Sequence, residues 1–362
     1  MYIKRLEIDN FRNYKSLQID FDEKTTILFG DNGQGKTNIL EAVFYLAITK
    51  SYKGAKDKDV IIFDSEEGHI RGFIVKNDEN IRIDMHIRKN KSKGISVNLE
   101  KVSKAADVLG TVNVVMFSPE DLRIIQDGPT YRRKFVDMEL CQLDPFYLYN
   151  LNNYNKIINQ RNVLLKEIFF KPELKSTLDI WDNQLISYGS KVIERRIQFV
   201  SQLNEIIYDI HNKLSGGKEE IKIIYDPDTT IEDYERKLND SKDRDIKSKI
   251  TSTGPHRDDF IFEINGIDIR KFGSQGQQRT AALSLKLAEV ELVKRITKDV
   301  PILLLDDVLS ELDSSRQNTL LNSIGDVQTI ITCTGLDEFV NNRFQINKVY
   351  KVHDGEVEEM NG

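Results

Sequence analysis

The chain has 362 residues, of which 39% are hydrophobic and 30% charged, and its formal net charge is -6 at pH 7. This composition predicts a globular protein with a highly charged surface and enough core for two structural units, and its overall charge argues against nonspecific polyanion binding by the whole protein. The two cysteines lie far apart without metal-ligand spacing, and no apolar stretch reaches membrane-spanning length, so we expect a cytoplasmic protein without membrane association.

Apolar residues alternate near the start of the chain and predict strands at residues 2–8, 17–21 and 25–29. The next eight residues, 30–37, read GDNGQGKT and fit the phosphate-binding pattern G-x-x-x-x-G-K-[ST]. Residues 38–47 are apolar at helical spacing, so the motif lies between a strand and a helix, as it must in order to direct N–H groups toward an anion. We call residues 30–37 the phosphate-binding loop. Its predicted ATP-binding residues are Gly30, Asp31, Asn32, Gly33, Gln34, Gly35, Lys36 and Thr37.

Two of these loop residues have specific predicted roles. Lys36 is expected to reach the β- and γ-phosphates and to support catalysis, and the Thr37 hydroxyl is expected to ligate Mg²⁺. The expected cofactors are therefore ATP and Mg²⁺.

The residue pattern changes near residue 120, from strand-like to polar and helical. The sequence before this point predicts a hairpin at 70–87 and strands at 95–99 and 112–117. A polar, helical stretch follows and ends at Gly216-Gly217. Strand patterns return after it, so we predict an α/β head that is split in sequence, 1–119 and 218–362, with an inserted helical arm at 120–217. The hairpin region has a basic group that forms either a local binding face or ordinary solvated charge: Arg82, Arg88, Lys89, Lys91 and Lys93.

An apolar run with two terminal carboxylates, ILLLDD, occupies residues 302–307. Such a run predicts a buried strand of a parallel sheet, which ends at the sheet edge where nucleotides bind. Asp306 is the predicted second Mg²⁺ ligand, and Asp307 is the predicted group that orients or deprotonates the attacking water.

A third polar, glycine-containing turn at residues 272–280, FGSQGQQRT, leads into a predicted amphipathic helix. We call it the signature turn, because the three motifs together, in this order, resemble the ATP-binding-cassette ATPases and in particular their SMC-like branch. The resemblance implies that Ser274, Gly276 and Gln277 of one subunit contact the γ-phosphate held by the phosphate-binding loop of another. It also implies an ATP-dependent, head-to-tail homodimer.

Further motifs narrow the resemblance to the bacterial RecF family of recombination mediators. They are NFRNY at 10–14, PED at 119–121, GP followed by RRKFVD at 128–137, and GPHRDD at 254–259. The resemblance implies a weak, DNA-stimulated ATPase that acts as a switch on duplex DNA and on gapped or single-strand junctions. It further implies recombinase loading with RecO and RecR in replication-fork repair and the SOS response, and it places Arg12 near the nucleotide.

Several alternatives stay open at this point. Arg132 and Arg133 either anchor the arm through ion pairs or contact DNA phosphates, and His256 is either a ligand or a hydrogen-bonded structural residue.

Three other classes of protein compete with the RecF resemblance. A transporter's nucleotide-binding subunit is disfavoured by the large helical insertion. An SMC-type cohesion protein is disfavoured because no heptad pattern persists through the arm, and a small-molecule P-loop kinase leaves the signature turn unexplained.

Overall fold

The computed structural model of the chain describes residues 1–335 and 346–360. The strands are β1 (Tyr2–Phe11), β2 (Tyr14–Asp20), β3 (Thr25–Phe29), β4 (Glu67–Lys76), β5 (Glu79–Arg88), β6 (Gly94–Val97), β7 (Glu100–Lys101), β8 (Val114–Phe117), β9 (Ile221–Asp226), β10 (Asp259–Ile264), β11 (Ile267–Asp268), β12 (Ile302–Asp306), β13 (Thr329–Cys333), β14 (Lys348–His353) and β15 (Glu356–Glu359). The α-helices are α1 (Lys36–Ile48), α2 (Leu122–Gln126), α3 (Pro129–Leu143), α4 (Pro145–Ile168), α5 (Leu178–Leu214), α6 (Tyr234–Ser248), α7 (Ile269–Phe272), α8 (Gln275–Thr297) and α9 (Ser314–Ile324).

The chain divides into two compact units, Met1–Asp121 with Glu289–Gly362, and Leu122–Ala288. The first boundary lies close to the predicted one at residue 119, whereas the second falls inside α8 instead of at residue 217. The physical reason is that β9 packs on α5 and α6 packs on α4 and α5, so these later elements group with the helices.

The first unit contains two sheets. One is antiparallel, with strand order β2-β1-β4-β5-β6-β7, and the other has the order β15-β14-β3-β13-β12-β8. In the second sheet β14, β3, β13, β12 and β8 run parallel. All five residues of β12 are buried, which explains its unbroken apolar run.

The parallel sheet fixes the position of the predicted site. The phosphate-binding loop follows β3, Asp306 ends β12, and β13 pairs with both of these strands. Because the carboxyl ends of parallel strands meet at one edge, the loop and the two aspartates come together there. The predicted α/β class, with a split P-loop head and an inserted helical region, is confirmed.

The second unit combines helices with the three-stranded sheet β11-β10-β9. Its long helices α4 and α5 pack together around a core that includes Tyr154, Leu185 and Tyr234. Two fully buried arginines neutralise carboxylates in this unit. Arg161 pairs with Asp182 and Asp245, at 2.7 and 2.8 Å, while Arg196 binds the GPHRDD segment, as described below.

Candidate nucleotide-binding site

The phosphate-binding loop turns tightly into α1 through Gly35. This residue precedes the helix with φ of 112°, and a Cβ at this position would lie 2.6 Å from the Asn13 Nδ2 atom and 2.7 Å from the Tyr14 hydroxyl oxygen. Glycine is therefore required here both by backbone conformation and by the close approach of β2 and its preceding turn. The first turn of α1 directs its N–H groups toward the loop, which is the geometry of an anion site.

Lys36 lies under this loop and is 4% exposed. Its Nζ atom donates to the Gly30 carbonyl oxygen at 2.6 Å and to the Asp31 carbonyl oxygen at 2.9 Å. These two bonds hold the ammonium group inside the loop, within reach of the phosphates that the loop is expected to bind.

The two predicted Mg²⁺ ligands are in direct contact. Thr37 Oγ1 donates to Asp306 Oδ1 at 2.7 Å, although the two residues are 269 positions apart in the chain. Two further hydroxyls hold the same carboxylate, since Thr332 Oγ1 donates to Oδ1 at 2.9 Å and the Tyr52 hydroxyl donates to Oδ2 at 3.0 Å. Hydroxyl and carboxylate oxygens are hard ligands of the kind that Mg²⁺ prefers, so this donor set fits the ion.

Asp307 follows directly and has an unusual backbone conformation, with φ of 54°. Its N–H donates to Thr332 Oγ1 at 3.0 Å, which fixes the turn that separates the two aspartates. Burial raises the pKa of the Asp307 carboxyl, Lys36 opposes that shift, and Asp306 adds to it. A carboxylate of raised pKa beside the phosphate-binding loop has the properties required of a general base.

Arg12 and Asn13 differ in their relation to the loop. The Arg12 guanidinium forms a bidentate pair with buried Glu41, at 2.7 and 2.8 Å, and also donates to the Asp59 carbonyl oxygen. The Asn13 side chain instead donates to the Gln34 carbonyl oxygen at 3.2 Å, and so contacts the phosphate-binding loop itself. The contact of Arg12 with a nucleotide stays a prediction.

The signature turn begins α8 with a reciprocal cap. Gln277 N–H donates to Ser274 Oγ at 3.2 Å, and Ser274 N–H donates to Gln277 Oε1 at 2.9 Å. Gln277 Nε2 also donates to Glu219 at 3.0 Å, which orders the turn from its other side. Ser274 is exposed and Gly276 is half-buried, so the start of this long helix is accessible.

The remaining motif arginines and residues of the basic hairpin group form ion pairs and hydrogen bonds within the protein. Arg132 is 3% exposed and forms a bidentate pair with Asp259 at 2.6 and 2.9 Å, while Arg133 donates to the Asp258 carbonyl oxygen. On the β4–β5 hairpin Arg82 pairs with Asp84, and Lys93, which follows it, pairs with Asp57. These pairs favour the structural interpretation of the arginines and reduce the free positive charge of the hairpin.

The GPHRDD segment, residues 254–259, is the polar centre of the second unit. Arg196 donates to the Pro255 carbonyl oxygen at 2.6 Å and to Asp258 at 2.7 Å. His256 accepts from the Tyr154 hydroxyl at 2.8 Å through Nδ1 and donates to the Thr251 carbonyl oxygen at 3.0 Å through Nε2. Both ring nitrogens are therefore satisfied by neutral imidazole, which supports the structural role.

We expect His256 to make the second unit less stable in acid. Burial lowers the pKa of His256 to about 4, from the ordinary value of 6.5, although the hydrogen bond to Thr251 opposes the shift. The unfolded chain therefore binds the extra proton between pH 6.5 and 4, and stability falls as the pH decreases through that window. Between pH 7 and 5 this residue should contribute a loss of about 2 kcal/mol.

The measurement is urea unfolding followed by fluorescence of the single tryptophan, Trp181, which packs against the cluster that contains Tyr154. His256→Gln keeps a donor and an acceptor but does not titrate, so it should lose less stability than the wild type over this pH range. His353→Gln is the matched control, because His353 is exposed at the end of β14. Equal pH dependence in wild type and His256→Gln would contradict the expectation.

Sequence reasoning missed the groups that support the site. Glu41 and Tyr52 contact Arg12 and Asp306 respectively, yet neither belongs to a local motif. Tyr52 lies on the loop after α1 and reaches Asp306 across 254 positions of sequence. Only the fold brings these residues together. Thr332 likewise belongs to none of the three motifs, and it reaches Asp306 because β13 pairs with β12.

The chain is similar over its whole length to known proteins. Residues 2–358 match the family described as RecF/RecN/SMC N terminal domain. The DNA replication and repair protein RecF of Lachnoclostridium phytofermentans is 58% identical over 359 residues, which cover 99% of this chain and 100% of that protein.

Solved structures give the same relationship. The structure of the recombination mediator protein RecF with ATP in the RecFOR pathway has a TM-score of 0.92 and 35% identity, covering 99% of this chain and 98% of the other. The Smc head bound to the C-winged helix domain of ScpA has a TM-score of 0.58 and 16% identity, covering 99% and 97%. The second likeness shows the shared fold alone.

Proposed function

Because the chain belongs to the RecF family, as its motifs predicted, we propose that it is an ATP-dependent DNA-binding protein of recombinational repair and replication-fork maintenance. The main observation behind this proposal is that Lys36, Thr37 and Asp306 lie together at one edge of the parallel sheet. The Thr37 hydroxyl contacts the Asp306 carboxylate at 2.7 Å. These residues supply the phosphate-binding ammonium and the Mg²⁺ ligands of one nucleotide site. A 35%-identical RecF has been solved with ATP, which supports the choice of nucleotide.

The loop and aspartates form half of the proposed site. Ser274, Gly276 and Gln277 lie at an accessible helix N-terminus, where N–H groups and the helix dipole favour a phosphate. We propose that the signature turn of a second copy completes the site, so that two ATP molecules join two chains head to tail. Arg12 would then lie near the nucleotide, because it is next to Asn13, whose side chain contacts the phosphate-binding loop.

Binding energy would be the main output of this cycle. ATP·Mg²⁺ would close the dimer on duplex DNA or on a gapped or single-strand junction, mostly through phosphate contacts that do not read sequence. Slow hydrolysis, supported by Asp307 and Lys36 and stimulated by DNA, would reopen it. The RecFOR pathway named for the solved relatives supports RecO and RecR as partners in recombinase loading. The SOS response and the cytoplasm complete the proposed setting.

The rival functions receive less support. No helix within residues 1–335 and 346–360 has the length and apolarity needed to cross a membrane. The longest helix, α5, has 37 residues and so spans about 55 Å, far shorter than the rod of an SMC cohesion protein. The described helices therefore give no support to a long coiled coil.

Sedimentation velocity tests the proposal. We expect the 41.9 kDa chain to shift toward the dimer when ATP and Mg²⁺ are added together, and to bind a gapped duplex more tightly in that state. ADP with Mg²⁺, and ATP with EDTA, are the matched controls. Unchanged sedimentation and unchanged DNA binding with ATP·Mg²⁺ would refute the ATP-dependent clamp.

A further inference from the structure

The outer face of the antiparallel sheet carries a pair of histidines that the nucleotide site does not use. His69 on β4 lies directly opposite His86 on β5 in the strand register. Their strand neighbours Gly68, Ile70 and Ile87 are buried, so the alternation of the strands turns both imidazoles outward. Directly opposed positions on one face of an antiparallel pair bring side chains into contact.

The two rings and one carboxylate converge. The imidazole centroids are 4.1 Å apart and the rings are stacked, with 21° between their planes. Glu67 lies two residues before His69 on the same face, and its Oε2 atom is 2.8 Å from His86 Nε2. One ligand atom from each of the three residues lies within 4.8 Å of the others. In the part of the chain that the structure describes, no other group of three or more His, Cys, Asp or Glu side chains comes so close together.

The surroundings suit a cation. The adjacent Arg71 is already neutralised by Glu7 at 2.6 Å and Asp84 at 2.5 Å. Asp9 is the register partner of His69 on the other side and adds negative charge. The imidazoles lie in the wall of a surface pocket of about 470 Å³, which leaves room for water ligands.

We propose that Glu67, His69 and His86 bind one divalent transition-metal ion, Zn²⁺ in the first instance, on the outer face of the β4–β5 hairpin. Two imidazole nitrogens and one carboxylate oxygen form a ligand set that suits Zn²⁺, Co²⁺ and Ni²⁺ and is poorly suited to Mg²⁺. Metal–ligand distances of about 2.0–2.2 Å require the three atoms to close by about an ångström, which rotation of surface side chains permits. A bound ion would join β4 to β5.

The alternative is an ordinary surface ion pair between Glu67 and His86 with a stacked histidine beside it. This interpretation predicts that the Glu67–His86 pair contributes little to stability and that stability does not depend on a metal ion. The two interpretations differ in stoichiometry, in spectrum and in stability, and each difference can be measured on the full chain without nucleotide.

The test uses Zn²⁺ and Co²⁺ on the full chain in excess Mg²⁺, which competes for oxygen-rich sites such as Thr37 with Asp306. Equilibrium dialysis measures Zn²⁺ stoichiometry and affinity, visible absorption of bound Co²⁺ reports its ligand field, and thermal unfolding reports stabilisation by the ion. The variants are His69→Gln, His86→Gln and Glu67→Gln. His353→Gln, an exposed histidine outside the cluster, is the control.

We expect one equivalent of Zn²⁺ in the wild type and in His353→Gln, with affinity reduced at least about tenfold by either cluster histidine substitution and less by Glu67→Gln. Zn²⁺ should raise the unfolding temperature most in the wild type and in His353→Gln, less in Glu67→Gln, and least in His69→Gln and His86→Gln. Circular dichroism confirms that each variant is folded, and three separate surface substitutions provide independent chances of a folded variant. Equal Zn²⁺ affinity in the wild type, His69→Gln and His86→Gln would overturn the proposal, as would failure of the wild type to bind.

Discussion

Lys36→Arg is expected to lower ATP affinity by about 100-fold, which corresponds to about 2.7 kcal/mol, and to abolish ATP-driven dimerisation. The Lys36 ammonium is almost fully buried and donates to two carbonyl oxygens inside the phosphate-binding loop. A guanidinium keeps the charge but is planar and larger, so it cannot occupy this space without displacing the loop. The variant therefore tests whether the shape of the side chain at position 36 matters when its positive charge is kept.

Isothermal titration with ATP·Mg²⁺ measures the affinity of this variant, and sedimentation measures its dimerisation. Lys50→Arg is the matched control, because Lys50 follows α1 and is exposed. A dissociation constant within about twofold of the wild type would remove Lys36 from the phosphate contact.

Asp307→Asn should slow ATP hydrolysis by about 100-fold or more while ATP binding persists. Asparagine is nearly isosteric, so it preserves the turn in which the backbone N–H of residue 307 binds Thr332 at 3.0 Å. It cannot accept a proton from water, whereas the carboxylate of Asp307, with its pKa raised by burial, can. Because release would depend on hydrolysis, the closed dimer should accumulate on DNA.

Single-turnover hydrolysis and the lifetime of the ATP-bound dimer check this expectation. Asp326→Asn, an exposed substitution after α9, controls for the loss of one negative charge. Wild-type turnover in Asp307→Asn would exclude Asp307 as the base and direct attention to a residue from the partner chain.

The sequence predicted the core of the site because its determinants are local. The phosphate-binding loop combines glycines, a strand and a helix within a short segment, and β12 is an apolar run with its carboxylate at the end. Buried parallel strands then require their ends to meet, so contact between Thr37 and Asp306 follows from topology. The strand at 25–29 has the predicted bounds, and α1 begins two residues earlier than predicted.

Other elements lack a local signal. Helix α6 was not predicted, since most of its residues are polar and it is held by a few buried side chains such as Tyr234 and Leu238. Strands β14 and β15 were also missed. β14 has only six residues and depends on parallel pairing with β3, which is more than 300 residues earlier in the chain. Tertiary contacts, and not local sequence, therefore determine that α6 and β14 form.

The partners of charged residues are equally hard to read from sequence. Arg12 resembles a nucleotide-binding residue in its motif, yet its guanidinium pairs with Glu41 on α1. Arg132 could have been a DNA contact, but it pairs with Asp259, 127 positions away. For Arg132, which is 3% exposed, burial favours the ion pair, because a buried arginine needs a carboxylate partner, and burial is a property of the fold.

The central claim is that two copies share each nucleotide site, and a mixing experiment tests it most directly. Lys36→Arg and Ser274→Ala chains, each inactive alone, are combined in equal amounts, and ATP hydrolysis is measured on gapped DNA. A mixed dimer contains one site with intact Lys36 from one chain and intact Ser274 from the other, so even unbiased pairing restores at most about a quarter of wild-type activity. Recovery of activity up to that fraction is the predicted result, and complete absence of recovery, with mixed dimers shown to form, would contradict the shared site.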